Sequence, residues 1–181
     1  MTALESRDLI SFPEPRFASA GEDPASIGTR VHAILQRMPL SPYEESVLQS
    51  AAASVGEVPE KNLDALRFFL RSPLYERMLA SSRVEREKSF VLPFPANRLF
   101  DTESDQPVLL QGVIDACFME NGSWILLDYK TGYVAIDPKE HAKRHFLQLS
   151  LYADALESIT HIPVREKYVV LLNAKTAVPV P

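Results

Sequence analysis

The chain has 181 residues, 46% hydrophobic and 24% charged, with a net charge of −5. That length suits one compact domain with a sizeable core, or one domain plus a tail. The acidic balance excludes the global basic footprint of a protein that binds nucleic acid unaided, and the single cysteine, Cys117, excludes an intrachain disulfide and any all-cysteine zinc or iron–sulfur site. No apolar run is long enough to cross a bilayer, and the first residues lack the basic and apolar blocks of a secretory signal. A reducing, cytoplasmic setting fits this composition. If nucleic acid is the substrate, other domains or subunits must supply most of the affinity.

Residues 1–25, with Pro13, Pro15, Gly21 and Pro24, read as an arm or linker. A helix follows, with Ser26 as N-cap and Ile27, Val31, Ile34, Leu35 and Met38 on its apolar face. His32 borders that face. A lone histidine there is more often bonded to a carbonyl than to a metal. Tyr43 to Ser54 reads as a short helix, and Asn62 to Ala80 as two helical pieces broken around Ser72-Pro73. Leu63, Leu66, Phe69 and Leu70 form the buried face of the first piece. Arg83 to Pro93 alternates as a strand, placing Glu85 and Glu87 on one face and Arg86 and Lys88 on the other, in the manner of a charged edge. Residues 95–107 read as a loop.

Leu109 to Thr131 reads as a β-hairpin. Asn121-Gly122 suits a type I′ turn, whose two central residues need positive φ. With those two as the loop, Glu120 pairs with Ser123, Met119 with Trp124, Cys117 with Leu126, and Asp115 falls opposite Asp128. Lys130, two residues on, shares the face of Asp128. Two crowded carboxylates in an apolar hairpin need a proton, a protein cation or a divalent metal between them. Strands that are apolar on both faces imply a sheet covered by helices on both sides.

Lys139 to Ser158 reads as one continuous helix, with Phe146, Leu149, Ala153 and Leu156 at helical spacing and Leu147 and Leu151 beside them. His141, Arg144, His145, Gln148 and Tyr152 form a polar stripe, in which Gln148 and Tyr152 project together. Lys139, Lys143 and Arg144 make a basic cluster suited to phosphates. Glu166 to Leu172 reads as a buried strand, and Thr176 to Pro181 as too proline-rich for a sheet interior.

The segments GTRVHAIL, EREKSF, GVIDACF, LLDYKTG and QLSLYADAL, in this order, resemble the RecB-type branch of the PD-(D/E)XK nucleases. Within it the resemblance is to the C-terminal nuclease domain of the AddA helicase–nuclease, over residues 26–180, and the ending EKYVVLLN…AVPV resembles the last strands of that domain. The resemblance implies an α/β fold, a mixed sheet flanked by helices, with the nuclease domain over residues 26–181. It implies metal ligation by Asp115, Asp128, His32 in the G-x-x-x-H position and the main-chain carbonyl of Tyr129. Lys130 would be the catalytic lysine. Gln148 and Tyr152 would match the Q-x-x-x-Y helix that positions the DNA backbone and that lysine. Glu87 would take a supporting role, and Lys143 and Arg144 are the candidate phosphate contacts. Many relatives carry four cysteines around an iron–sulfur cluster; one cysteine here matches the cluster-free members.

The implied activity is Mg²⁺- or Mn²⁺-dependent hydrolysis of DNA, of exonuclease type, at linear ends and on single strands, in double-strand-break processing and recombinational repair. The chain has no G-x-x-x-x-G-K-[ST] loop, so a helicase or motor domain would be its partner. Two other readings stay open: a catalytically silent DNA-end-binding or scaffolding module, and a stand-alone phage- or CRISPR-type exonuclease. Metal binding separates the first of these from an enzyme.

Overall fold

A computed structural model describes residues 24–99 and 101–181. Four helices come first: α1 (Pro24–Arg37), α2 (Glu45–Ala53), α3 (Glu60–Leu70) and α4 (Pro73–Leu79). Then come β1 (Val84–Pro95), β2 (Pro107–Glu120), β3 (Ser123–Lys130), α5 (Pro138–Lys143), α6 (Phe146–Thr160), β4 (Val164–Leu171) and β5 (Thr176–Val180). The strands form one sheet in the order β1-β2-β3-β4-β5. β3 and β4 pair in parallel, through the α5–α6 crossover, and the other pairs are antiparallel.

The sheet is covered on both faces, as the two-sided apolar hairpin implied. Ala116, Phe118, Ile125, Leu127 and Tyr129 pack with the α1–α4 layer. Cys117, Trp124 and Leu126 pack with α6. The larger of these, such as Phe118, Ile125, Leu126 and Leu127, are fully buried, and each stabilises the fold by about 1.5–3 kcal/mol. The turn residues Asn121 and Gly122 have φ of 50° and 77°, and the ladder follows the expected register from Glu120–Ser123 to Ala116–Leu127. Ser72 caps α4 by accepting from the Tyr75 N–H, which accounts for the break before Pro73.

Three expectations change, and one lies almost wholly outside the described residues. The arm over 1–25 falls outside the described residues except at its end, where α1 has already begun at Pro24. The long helix is two. The Asp137 carboxylate caps α5, and His145, at φ −100° and ψ 2°, separates it from α6. The second helix therefore turns differently: Phe146 and Leu147 are exposed, while Leu149, Tyr152, Ala153 and Leu156 are buried. The proline-rich tail is a strand, but an edge one, where Pro179 needs no ladder partner on its outer side. Finally, β1 and β2 pair out to Pro95–Pro107, so the loop between them is shorter and the hairpin they form is longer than its alternation suggested.

Candidate active site

The site forms where β1 and β2 both reverse their facing. Along β1, Arg86 and Glu87 both reach α1: Arg86 donates to the carbonyls of Leu35 and Met38, and Glu87 Oε1 lies 3.7 Å from His32 Nδ1. Along β2, Asp115 turns the same way, and its Oδ1 lies 3.1 Å from His32 Nδ1. Glu87 makes its reversal with φ at 50°, an uncommon conformation for a non-glycine residue. The alternation expected for Glu85 to Lys88 therefore fails. Glu85 and Lys88 pair with each other instead, and Arg86 and Glu87 share a side.

The reversal also separates Asp115 from the ladder. The β2–β3 register ends at Ala116–Leu127, one pair short of Asp115 and Asp128. Beyond it, Asp115 Oδ2 accepts the main-chain N–H of Tyr129 at 2.7 Å. His32, Glu87 and Asp115 thus offer ligand atoms that all lie within 4.8 Å of one another. His32 Nε2 stands 3.1 Å from the Tyr129 carbonyl. With the proton assigned to Nε2, the ring donates to that carbonyl, and Nδ1 faces two carboxylates as a third acceptor. Acceptors converging on acceptors require a proton or a cation among them, and an imidazole with two carboxylates is a donor set for a divalent ion. The residues present therefore fit a metal.

Asp128 stands beside this cluster, within a second chain of contacts toward α6. Its Oδ1 accepts from Lys130 Nζ at 3.0 Å, and Lys130 also donates to Gln148 Oε1 at 3.1 Å. Gln148 Nε2 in turn lies 3.1 Å from the Tyr152 hydroxyl. Asp128 is 3% exposed, and its Oδ2 has no aligned hydrogen-bond donor although Lys130 Nζ is 3.0 Å away. Burial pushes the Asp128 carboxyl up to about 6; Lys130 pulls against this, and the charge of Asp115 adds to it. A buried carboxylate oxygen with a spare lone pair is a further place for a cation. The Tyr129 carbonyl already faces His32, so a metal there would use its second lone pair.

The structure thus brings together His32, Glu87, Asp115, Asp128, the Tyr129 main chain, Lys130, Gln148 and Tyr152. Lys143 and Arg144 are exposed at the break between α5 and α6, with Lys143 paired to Glu140 at 2.6 Å. Near them His145 is held low, at about 4, by its burial and then by the charge of Lys130.

Three positioning features escaped the sequence. Arg86, read as part of a solvated face, ties the end of α1 to β1 and so places His32. Gly28 leaves room for Thr131: a Cβ there would lie 2.9 Å from Oγ1. At Gly112 a Cβ would meet Phe90 at 2.8 Å and Tyr152 at 3.0 Å, so only glycine lets those two rings meet edge to face across β2. An isolated strand glycine is the one signal that could have flagged it.

Residues 6–179 match the family described as the PD-(D/E)XK nuclease superfamily. An ATP-dependent helicase/nuclease subunit of Acetivibrio thermocellus is 34% identical, over 92% of this chain and 15% of its own length. The protein of the same name from Pediococcus pentosaceus is 36% identical over 90% and 15%, and that from Ruminiclostridium cellulolyticum 31% over 84% and 13%. The chain therefore spans about one-seventh of these relatives. By the family match and by this identity across most of its length, the chain belongs to the PD-(D/E)XK nuclease superfamily and is homologous to a segment of those helicase/nuclease subunits.

Proposed function

We propose that the chain is a divalent-metal-dependent deoxyribonuclease of exonuclease type, acting on DNA ends in double-strand-break processing and recombinational repair. The observation that carries this reading is the convergence of His32, Glu87 and Asp115 beside the Asp128–Lys130 pair. Mg²⁺ or Mn²⁺ held by His32 Nδ1 and these carboxylates would polarise a phosphoryl oxygen and lower the pKa of a bound water.

The chain's own residues do the rest. The His32 Nε2–Tyr129 contact fixes the imidazole and points Nδ1 into the site. Lys130, held between Asp128 and Gln148, presents an ammonium that orients a water or stabilises charge on the phosphoryl oxygens. Gln148 is steadied by Tyr152, so the Q-x-x-x-Y pair acts on Lys130 from α6. Lys143 and Arg144 supply exposed cations for the DNA backbone. The nuclease domain is assigned to residues 26–181. Its only cysteine is buried, leaving no ligand set for an iron–sulfur cluster.

The names of the relatives point to a helicase or motor partner that delivers DNA, in keeping with the net charge of −5. No described helix is long and apolar enough to cross a membrane, and the proposed setting is cytoplasmic. The test incubates the purified chain with labelled linear and circular DNA in Mg²⁺, Mn²⁺ or EDTA, beside Lys130→Ala. Metal-dependent loss of linear DNA alone, absent in the variant, is the expected result. Degradation that persists in the variant or in EDTA would reject the reading.

A further inference from the structure

Asn173 lies in the tight turn Leu172–Ala174 between β4 and β5, at the end of the sheet that carries Lys130. The parallel ladder of β3 and β4 stops at Lys130–Leu171. Thr131 is the first residue beyond it, and its carbonyl accepts from the Asn173 side-chain amide, Nδ2. A carbonyl can only accept, so Asn173 turns its nitrogen to Thr131 and its oxygen to α3. There Asn62 Nδ2 donates to Asn173 Oδ1 at 3.2 Å. Asn62 is 3% exposed, and its own Oδ1 has no donor among the described residues. A buried amide oxygen left unmatched costs stability, and an apolar side chain of similar size would pack α3 without that cost. What Asn62 adds is the donor that orients Asn173.

The peptide units on either side of Lys130 are both held from outside the ladder. Before it, the Tyr129 N–H is taken by Asp115, and the Tyr129 carbonyl faces His32. After it, the Thr131 carbonyl is held by Asn173, and Thr131 Oγ1 sits so close under α1 that a Cβ on Gly28 would lie 2.9 Å away. The chain then runs on through Gly132, Tyr133 and Ile136, all exposed, until Asp137 caps α5. Asn173 therefore ties down a strand end that leads into an open run. The Lys130 ammonium stands on a flexible four-carbon stem, and its bonds to Asp128 and Gln148 fix the tip of that stem. The strand end fixes its root, and a displacement of about 1 Å at a reacting group can cost on the order of a hundredfold in rate.

We propose that Asn173 is a positioning residue for Lys130: oriented by Asn62, it holds the Thr131 carbonyl and so sets the end of β3 from which Lys130 reaches the scissile phosphate. This rests on the nuclease reading and adds to it a residue that acts on the lysine through the main chain.

The test compares Asn173→Ala and Asn173→Asp with the wild-type chain in Mg²⁺-dependent cleavage of labelled linear DNA, beside melting curves and calorimetric Mn²⁺ titration. Aspartate keeps the shape of the side chain and the acceptor for Asn62, but its carboxylate has no donor for Thr131. Lys175→Asn, two residues further on, is the control, since asparagine tolerates its φ of 51°. Both Asn173 variants should lower kcat by about fivefold to tenfold, the worth of roughly one hydrogen bond, with KM and Mn²⁺ affinity as in the wild type. The thermal midpoint should stay nearly unchanged, because Asn173 is exposed. The control should keep the wild-type kcat. A wild-type kcat in Asn173→Asp would overturn the proposal. So would a loss of rate shared by Lys175→Asn, or one accompanied by a lower midpoint or weaker Mn²⁺ binding, because the bond would then support the turn or the whole site and not the lysine. Cleavage by the wild type in any of these outcomes leaves the nuclease reading standing; a wild type without metal-dependent cleavage would remove that reading and the proposal together.

Discussion

Asp115 accepts the main-chain N–H of Tyr129 at 2.7 Å, so this carboxylate satisfies a strand donor where the β2–β3 ladder stops. Its other oxygen faces His32. One side chain therefore closes the sheet locally and lines the candidate metal centre. Asp115→Ala should unfold more easily, by about 1–3 kcal/mol, because a largely buried N–H loses its acceptor. Asp115→Asn keeps a carbonyl oxygen for that N–H, and should recover most of the stability while still losing Mn²⁺ binding. Urea denaturation beside calorimetric Mn²⁺ titration checks both. Equal destabilisation by the two substitutions would show that the Tyr129 contact does not support the fold.

Asp128 links the site to pH. Its folded carboxyl is raised from 3.8 to about 6, chiefly by burial. The folded state then binds the proton more tightly than the unfolded chain, so this group makes stability fall as pH rises from about 4 to 6. Above that window its ionised form costs on the order of 3 kcal/mol, less whatever a bound cation returns. Asp128→Asn should therefore raise the metal-free thermal midpoint at pH 7 and flatten its decline between pH 4 and 6. It should also abolish cleavage. Melting curves in EDTA across that range are the measurement; a variant less stable than wild type at pH 7 would contradict the sign.

Much of this site was legible in the chain. Asn121-Gly122 determined the hairpin register, because few residue pairs accept two positive φ values and the pairing then propagates residue by residue. Ser72-Pro73 announced a helix restart for similarly local reasons. The reversal at Glu87 and Asp115 was not legible. Strand reading assumes that every residue alternates, and nothing about a glutamate signals a left-handed backbone. Nor could a lone His32 be tied to Asp115, far along the chain, except through the family likeness. The break at His145 lacks the proline or glycine that would have shown it, and it shifts which side chains of α6 face the sheet.

The Lys130–Gln148–Tyr152 chain predicts a graded series. Lys130→Ala should abolish hydrolysis. Tyr152→Phe removes only the hydroxyl 3.1 Å from Gln148 and keeps the ring packed edge to face on Phe90. It should lower kcat by about tenfold, the worth of roughly one hydrogen bond, with little change in KM. Gln148→Ala should fall between the two. A Tyr152→Phe enzyme with normal kcat would place the hydroxyl outside the machinery.

The tie between Arg86 and α1 separates building the site from lining it. Arg86 Nη1 donates to the Leu35 and Met38 carbonyls at 2.8 and 2.6 Å, satisfying acceptors that the end of α1 cannot pair internally. His32 lies one turn before Leu35 on the same helix. Arg86→Ala should cost about 1–3 kcal/mol, as for lost charge-assisted hydrogen bonds. It should also weaken Mn²⁺ binding, although Arg86 offers no ligand atom, because a loosened helix end lets the imidazole leave its place opposite Asp115. Arg86→Lys restores the charge but not the two-carbonyl reach of a guanidinium, and should rescue only part of both. Stability lost without any change in Mn²⁺ affinity would show that His32 is held by its own contacts to Tyr129 and Asp115 and not by the anchoring of α1.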